Sequence, residues 1–136
     1  MLKLPTINNL SIYLIGTGGT GGFAFTNLAR LLAGADVPIS ICDCDIVEPK
    51  NLKRQQFGKY DIDSTKAQAL ADWASRTILD CPPIGVINDY LTDGDEFLAG
   101  ICLSTPGDAI PLIISAVDNV ATRKLINQTL EDLPEY

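Results

Sequence analysis

A glycine-rich loop, Gly16-Thr17-Gly18-Gly19-Thr20-Gly21, leaves few folds open to this chain of 136 residues. It follows the abrupt end of a short β-prone run, residues 11–15 (SIYLI), and opens residues 23–32 (FAFTNLARLL), whose apolar positions are spaced for a helix with Gly34 as its stop. The loop therefore fits G-x-G-x-x-G in the setting that motif requires, after a strand and at the mouth of a helix. Gly16 permits the tight turn, Gly18 lets backbone N–H groups approach phosphate oxygens, and Gly21 lets helix and strand pack closely. The helix N-terminus adds free N–H donors and partial positive charge. Residues 37–42 (VPISIC) read as a second strand, with Pro38 near its start where a missing N–H does least harm. Strand, glycine turn, helix and strand form one βαβ unit, for which the rule is a right-handed crossover and parallel strands.

Residues 43–60 are polar and too long for a simple connection, which points to a functional loop. Asp63 or Ser64 is placed to cap a helix from residue 65 to about 79, with Ala67, Leu70, Ala71, Ala74 and Ile78 on one side and Pro82-Pro83 ending it. Residues 84–87 (IGVI) read as a third strand. The stretch 90–107, rich in Asp and Gly, yields no legible element. Residues 110–117 (IPLIISAV) form the most hydrophobic strand, predicted to be central in a sheet covered on both faces. Asp118-Asn119 then opens a last helix over 120–130. The expected architecture is a single α/β, Rossmann-like domain: a mostly parallel sheet with flanking helices.

Bulk properties narrow the functions. Seventeen acidic against ten basic residues give a net charge of -7, which argues against nucleic acid, whose sequence-independent binding rests on clustered Lys and Arg. Histidine is absent, which removes His triads, His metal sites and imidazole bases. No apolar run approaches the ~18–20 residues of a membrane span, and the first residues lack a signal-peptide pattern, so the expectation is no membrane association and a cytoplasmic location. Of the four cysteines, Cys42 and Cys44 are expected to share a strand face against a helix, while Cys81 and Cys102 read as small hydrophobes.

The loop alone suits dinucleotide and ATP sites alike; it is not a Walker loop, because no Lys-Ser/Thr follows the glycines. Asp43, behind the second strand, is placed to accept hydrogen bonds from both ribose hydroxyls. Further motifs then narrow the reading. IGTGGTGG (15–22), DCDIVEPKNLKRQ (43–55), the Lys66-Ala67 pair and AVDNVATRKLIN (116–127) together resemble the ThiF/MoeB/HesA adenylating family, kin of the ubiquitin-activating enzymes, in the family's order and at about its spacing. The compact loop and short N-terminus look similar to ThiF-like proteins of plasmid and phage-type gene clusters.

The resemblance implies ATP and Mg²⁺ as cofactors and adenylation of the C-terminal carboxylate of a ubiquitin-like or sulfur-carrier protein or peptide. In that chemistry charge accumulates on the departing phosphates, so fixed cations matter more than a general base. By resemblance, Arg54 and Lys66 clamp the phosphates, Asn51 orients them, Gly16, Gly18, Gly19 and Gly21 cradle them, and Asp118 holds the metal, Mg²⁺ preferring one or two carboxylates with phosphate oxygens and water. Asp118 could equally cap the last helix, and Asp45 could support the site or form a turn. The family precedent also implies a homodimer. Three departures stand out: the N-terminal segment has only Lys3 where the family places an arginine, Asp63 replaces a glycine before the lysine motif, and the chain matches about the first half of the family fold, so it reads as the N-terminal portion of a longer protein, a natural minimal member being the other explanation. A dinucleotide-dependent oxidoreductase explains the glycines and Asp43 but leaves the NLKRQ segment and Lys66 without purpose. A non-catalytic nucleotide-binding scaffold is the third reading.

Overall fold

The computed structural model describes residues 9–89 and 91–131; Lys3 lies outside them. The elements run β1 (Leu10–Ile15), α1 (Gly19–Leu31), β2 (Ile39–Cys42), α2 (Lys66–Thr77), β3 (Ile84–Ile87), α3 (Gly94–Ser104), β4 (Ile110–Ser115) and α4 (Val120–Glu131). The strands form one sheet in the order β3-β2-β1-β4, all parallel. Register is set by pairs such as Ile12 with Ile39 and Leu112, and Ile39 with Ile84.

Period-two alternation assigns the faces. Ile12, Leu14, Ile39 and Ile41 point to one side, where they form the main core with Phe25 and Ala29 of α1 and Leu70 and Ala74 of α2. Ser11 and Tyr13 point to the other, and the Tyr13 hydroxyl bonds Ser104 Oγ at 2.8 Å and Thr105 Oγ1 at 2.9 Å at the end of α3. The first two crossovers thus cover one face. After β3 the chain crosses to the open side of β1, and α3 and α4 pack against each other on the opposite face. This is a doubly wound α/β arrangement, as expected.

Four local expectations are corrected. First, among the described residues the strand buried on both faces is β1, and β4 is the outer strand of the sheet, with Ile110 and Leu112 48% and 42% exposed. Hydrophobicity reports a demand for burial, not a place in the strand order, and among the described residues that demand is unmet. Second, the stretch 90–107 contains α3. Asp93 caps it, accepting from Asp95 N at 2.8 Å and Glu96 N at 3.0 Å, and Gly94 lets it close on α4, because a Cβ there would overlap Thr129 Oγ1. Third, the N-cap of α2 is Thr65, whose Oγ1 accepts from Gln68 N at 3.3 Å. Asp63 is excluded from that role by its φ of 70°, since an N-cap needs an extended backbone. Left-handed geometry favours glycine and tolerates Asp, which accounts for an acid standing where the family has glycine. Fourth, Cys44 lies beyond the end of β2, and both Cys42 and Cys44 line a cleft instead of packing on a helix.

Candidate functional site

The loops after β1 and β4 leave the sheet side by side but lead to helices on opposite faces, α1 to one and α4 to the other. Such a divergence between neighbouring parallel strands opens a crevice at their carboxyl ends, where open α/β sheets bind ligands. Here the crevice is a cleft of about 420 Å³, with Gly16, Gly18 and Gly19 on one wall and Ala116 to Asn119 on the other. Asp43, Asp45 and Lys66 line it from the β2 side. A smaller cavity of about 140 Å³, between the sheet and α3, shares Ile15, Cys42, Asp89 and Leu91 with it.

The glycines divide by what surrounds them. Gly16 has a φ of 88°, and a Cβ there would come within 3.0 Å of the Ala116 carbonyl carbon and Val117 Cγ1. A Cβ on Gly21 would overlap the Gly16 carbonyl oxygen and sit 3.2 Å from Ala116 Cβ. These two are glycine because backbone passes close by, and Gly21 lies outside the cleft lining. A Cβ on Gly18 or Gly19 would meet nothing nearer than Gln55 Nε2 at 3.9 Å or the Arg54 carbonyl oxygen at 3.8 Å. Packing does not demand glycine at these two positions, and both line the cleft. The structure thus offers a cradle that side chains would fill, and the cradle suits a phosphate.

A seam of hydrogen bonds joins the glycine loop to the end of β2. Thr17, fully buried, donates its N–H and its hydroxyl to Asp43 Oδ2, at 2.7 Å each. Asp45 N–H donates to Asp43 Oδ1 at 2.9 Å. The Asp45 carboxylate in turn pairs with Lys66 Nζ at 2.8 Å, and Lys66 N–H donates to the Asp45 carbonyl at 2.8 Å. Lys66, at the first position of α2, is buried and is held facing the cleft by this pair. Asp45 is therefore a support of the Lys66 side chain.

The remaining expected residues are less gathered. Asp118 lines the cleft and is exposed; the cap of α4 is Asn119, whose Oδ1 accepts from Ala121 N at 2.8 Å. Arg54 is exposed and does not line the cleft, although its backbone borders Gly19. Asn51 is buried away from the cleft, where its Oδ1 accepts from Glu48 N at 2.7 Å and closes the turn Pro49–Asn51. The residue after Arg54 was not singled out beforehand. Gln55 lines the cleft, and its Oε1 is a buried side-chain oxygen with no hydrogen-bond partner. Buried polar atoms are nearly always satisfied, so this one marks a place for a ligand or water. Its signal in the sequence was its place in the NLKRQ motif. Cys42 sits among Asp43, Cys44 and Asp89, and burial first, then those charges, push its thiol up to about 11. Among the described residues no group of three or more Cys, Asp or Glu is arranged to hold a metal. Asp118 fits a Mg²⁺ ion that is shared with phosphate oxygens, not one caged by protein alone.

Comparison with known proteins adds the following. A family model described as "ThiF family" matches residues 3–132. Ubiquitin-like modifier-activating enzyme 5 of Oryza sativa subsp. japonica is 28% identical over 136 residues, covering 93% of this chain and 31% of that protein. The NEDD8-activating enzyme E1 catalytic subunit of Saccharomyces cerevisiae is 30% identical over 123 residues, 90% and 38% of the two. The chain thus spans about a third of the length of these relatives. Among solved structures, TcdA (CsdL) superposes with a TM-score of 0.75 at 22% identity, over 92% of this chain and 47% of that one. The E. coli tRNA N6-threonylcarbamoyladenosine dehydratase TcdA in complex with ATP does so with a TM-score of 0.73 at 24% identity, over 93% and 49%. No helix among the described residues is long and apolar enough to cross a membrane.

Proposed function

The chain belongs to the ThiF family, and from that premise we propose that it is the ATP-binding portion of an adenylating enzyme that activates a carboxylate. The observation that carries the proposal is the open cradle at Gly18 and Gly19, facing Lys66 and Asp118 across one cleft. The relatives' names support the class, and a TcdA neighbour binds ATP.

In this reading the triphosphate lies along the glycine loop, with N–H groups at the start of α1 donating to its oxygens. The substrate carboxylate oxygen attacks the α-phosphorus, and the bond to the bridging oxygen breaks as pyrophosphate leaves. Lys66, aimed by Asp45, supplies a fixed positive charge beside the phosphates. Arg54 turns its exposed side chain toward the leaving group from the loop bordering Gly19. Asn51 contributes by shaping the turn that carries Arg54 and Gln55. Asp118, in the cleft lining, would hold a magnesium ion, which would supply neutralising charge to the departing group. The substrate is the C-terminal carboxylate of a ubiquitin-like or sulfur-carrier protein or peptide. A homodimer, a cytoplasmic setting, and further chain after α4 that covers the exposed edge of β4 complete the proposal.

Titration calorimetry tests it: Mg²⁺·ATP is expected to bind more tightly than NAD. Tighter binding of NAD would return the glycine loop to the oxidoreductase reading, which gives no task to the Lys66–Asp45 pair.

A further inference from the structure

The sequence suggests that Asp43 takes both ribose hydroxyls of a nucleotide, but its carboxylate is already largely committed. A carboxylate offers about four lone-pair sites, two on each oxygen. Both sites of Oδ2 are filled by Thr17, through its N–H and its hydroxyl at 2.7 Å each. One site of Oδ1 is filled by Asp45 N–H at 2.9 Å. Among the described residues nothing else engages the carboxylate, which leaves one acceptor site, on Oδ1, to face the cleft that Asp43 lines.

We infer that Thr17 is a positioning residue which fixes Asp43 so that the site reads a single ribose hydroxyl, giving the chain a one-sided preference among ribose, 2′-deoxy and 3′-deoxy nucleotides. The inference rests on the nucleotide reading above and deepens it. The Thr17 side chain is fully buried, so it cannot touch a ligand itself; it acts only through Asp43. Its two donors on one oxygen hold the carboxylate plane against rotation, and that rotation is what would bring Oδ2 round to a second hydroxyl. The Gly16 N–H bond to the Cys42 carbonyl, at 2.9 Å, ties the same two segments through the backbone. The seam therefore persists when the threonine hydroxyl is removed.

Binding of ATP, 2′-deoxyATP and 3′-deoxyATP to the unaltered chain, with Mg²⁺, is the first measurement. One deoxynucleotide is expected to bind as ATP does and the other to lose about tenfold or more, as for a hydrogen bond to a charged group. Equal losses for both would show Asp43 serving two hydroxyls and overturn the inference; no loss for either would also overturn it. Thr17→Val, which keeps the shape and removes the hydroxyl, frees the carboxylate to turn and is expected to extend the loss to the second deoxynucleotide, while Thr17→Ser keeps the preference one-sided. A preference that stays one-sided in Thr17→Val would remove Thr17 from the role. Failure of ATP itself to bind is distinguishable at once, since it overturns the nucleotide reading before any analogue is compared.

Discussion

Gly19 and Gly21 both lie in the first turn of α1, yet the same substitution at the two positions should act in opposite ways. A methyl group on Gly21 would overlap the Gly16 carbonyl oxygen, and the atoms it meets are backbone that cannot swing aside. Overpacking of this kind costs about 1–3 kcal/mol, sometimes more. At roughly 4 °C per kcal/mol for a chain of this size, Gly21→Ala should lower the melting temperature by about 10 °C. A methyl on Gly19 would find its nearest neighbour, the Arg54 carbonyl oxygen, at 3.8 Å, an ordinary contact. Replacing glycine by alanine in a helix gains up to about 1 kcal/mol, so Gly19→Ala should melt at the same temperature or a few degrees higher. That methyl would stand in the cleft where a phosphate approaches, and ATP affinity should fall about tenfold or more through the displaced N–H contact. Thermal melts by circular dichroism and calorimetry with Mg²⁺·ATP read the two effects separately. A Gly19→Ala protein that melts as low as Gly21→Ala, or that binds ATP as tightly as the parent, would refute the division of the loop into packing and ligand glycines.

Two further outcomes are expected. Asp93→Ala removes the acceptor for two N–H groups at the start of α3 and should cost about 1 kcal/mol, read as a shift of the denaturant midpoint with an unchanged slope. Cys42, with its thiol raised from 9.0 to about 11 by burial and neighbouring carboxylates, should be alkylated by iodoacetamide at pH 8 far more slowly than the exposed Cys102, as peptide mass spectrometry would show. The sign of the linkage follows: the unfolded thiol ionises near 9 while the folded one holds its proton, so this contribution to stability is intact below pH 9 and is lost as the pH rises toward 11.

The βαβ unit was legible because three signals coincide in one short stretch: a β-prone run, glycines at fixed offsets and a helical period behind them. The same holds for α2, whose alanines and Leu70 repeat at helical spacing, and for β3, recovered at residues 84–87. α3 was not legible, since its first turn is Gly-Asp-Glu and the sequence around it reads as turn. What makes it a helix is the Asp93 cap and its seat against α4, and the second is a tertiary contact. The strand order was hidden for a similar reason. Strong hydrophobicity in β4 and alternation in β1 suggest the reverse of what the topology does, because Tyr13 and Ser11 face a covering helix that the sequence did not reveal. The site shows the same limit. Motif spacing located the acids and the lysine, but the engagement of Asp43 by Thr17 and of Lys66 by Asp45 depends on segments far apart in the chain.

Charge balance in the cleft leads to the last prediction. Among the described residues four carboxylates line it, those of Asp43, Asp45, Asp89 and Asp118, against the single ammonium of Lys66, and that ammonium already pairs with Asp45 at 2.8 Å. A triphosphate entering such a cleft adds charge of the same sign, and each added phosphate raises the repulsion unless cations arrive with it. The N–H groups of the glycine loop offset part of this through their partial charges, but they serve a monophosphate as well as a triphosphate. Without divalent metal, AMP should therefore bind at least as tightly as ATP. With millimolar Mg²⁺ the order should reverse, because on the proposed reading Asp118 would hold the ion beside the outer phosphates. Asp118→Asn should remove most of the Mg²⁺-dependent gain and leave AMP binding in chelator unchanged. ATP that binds more tightly than AMP in the presence of EDTA would mean that fixed protein cations, with Arg54 turned inward, already outweigh the four acids, and the metal's part in binding would have to be given up.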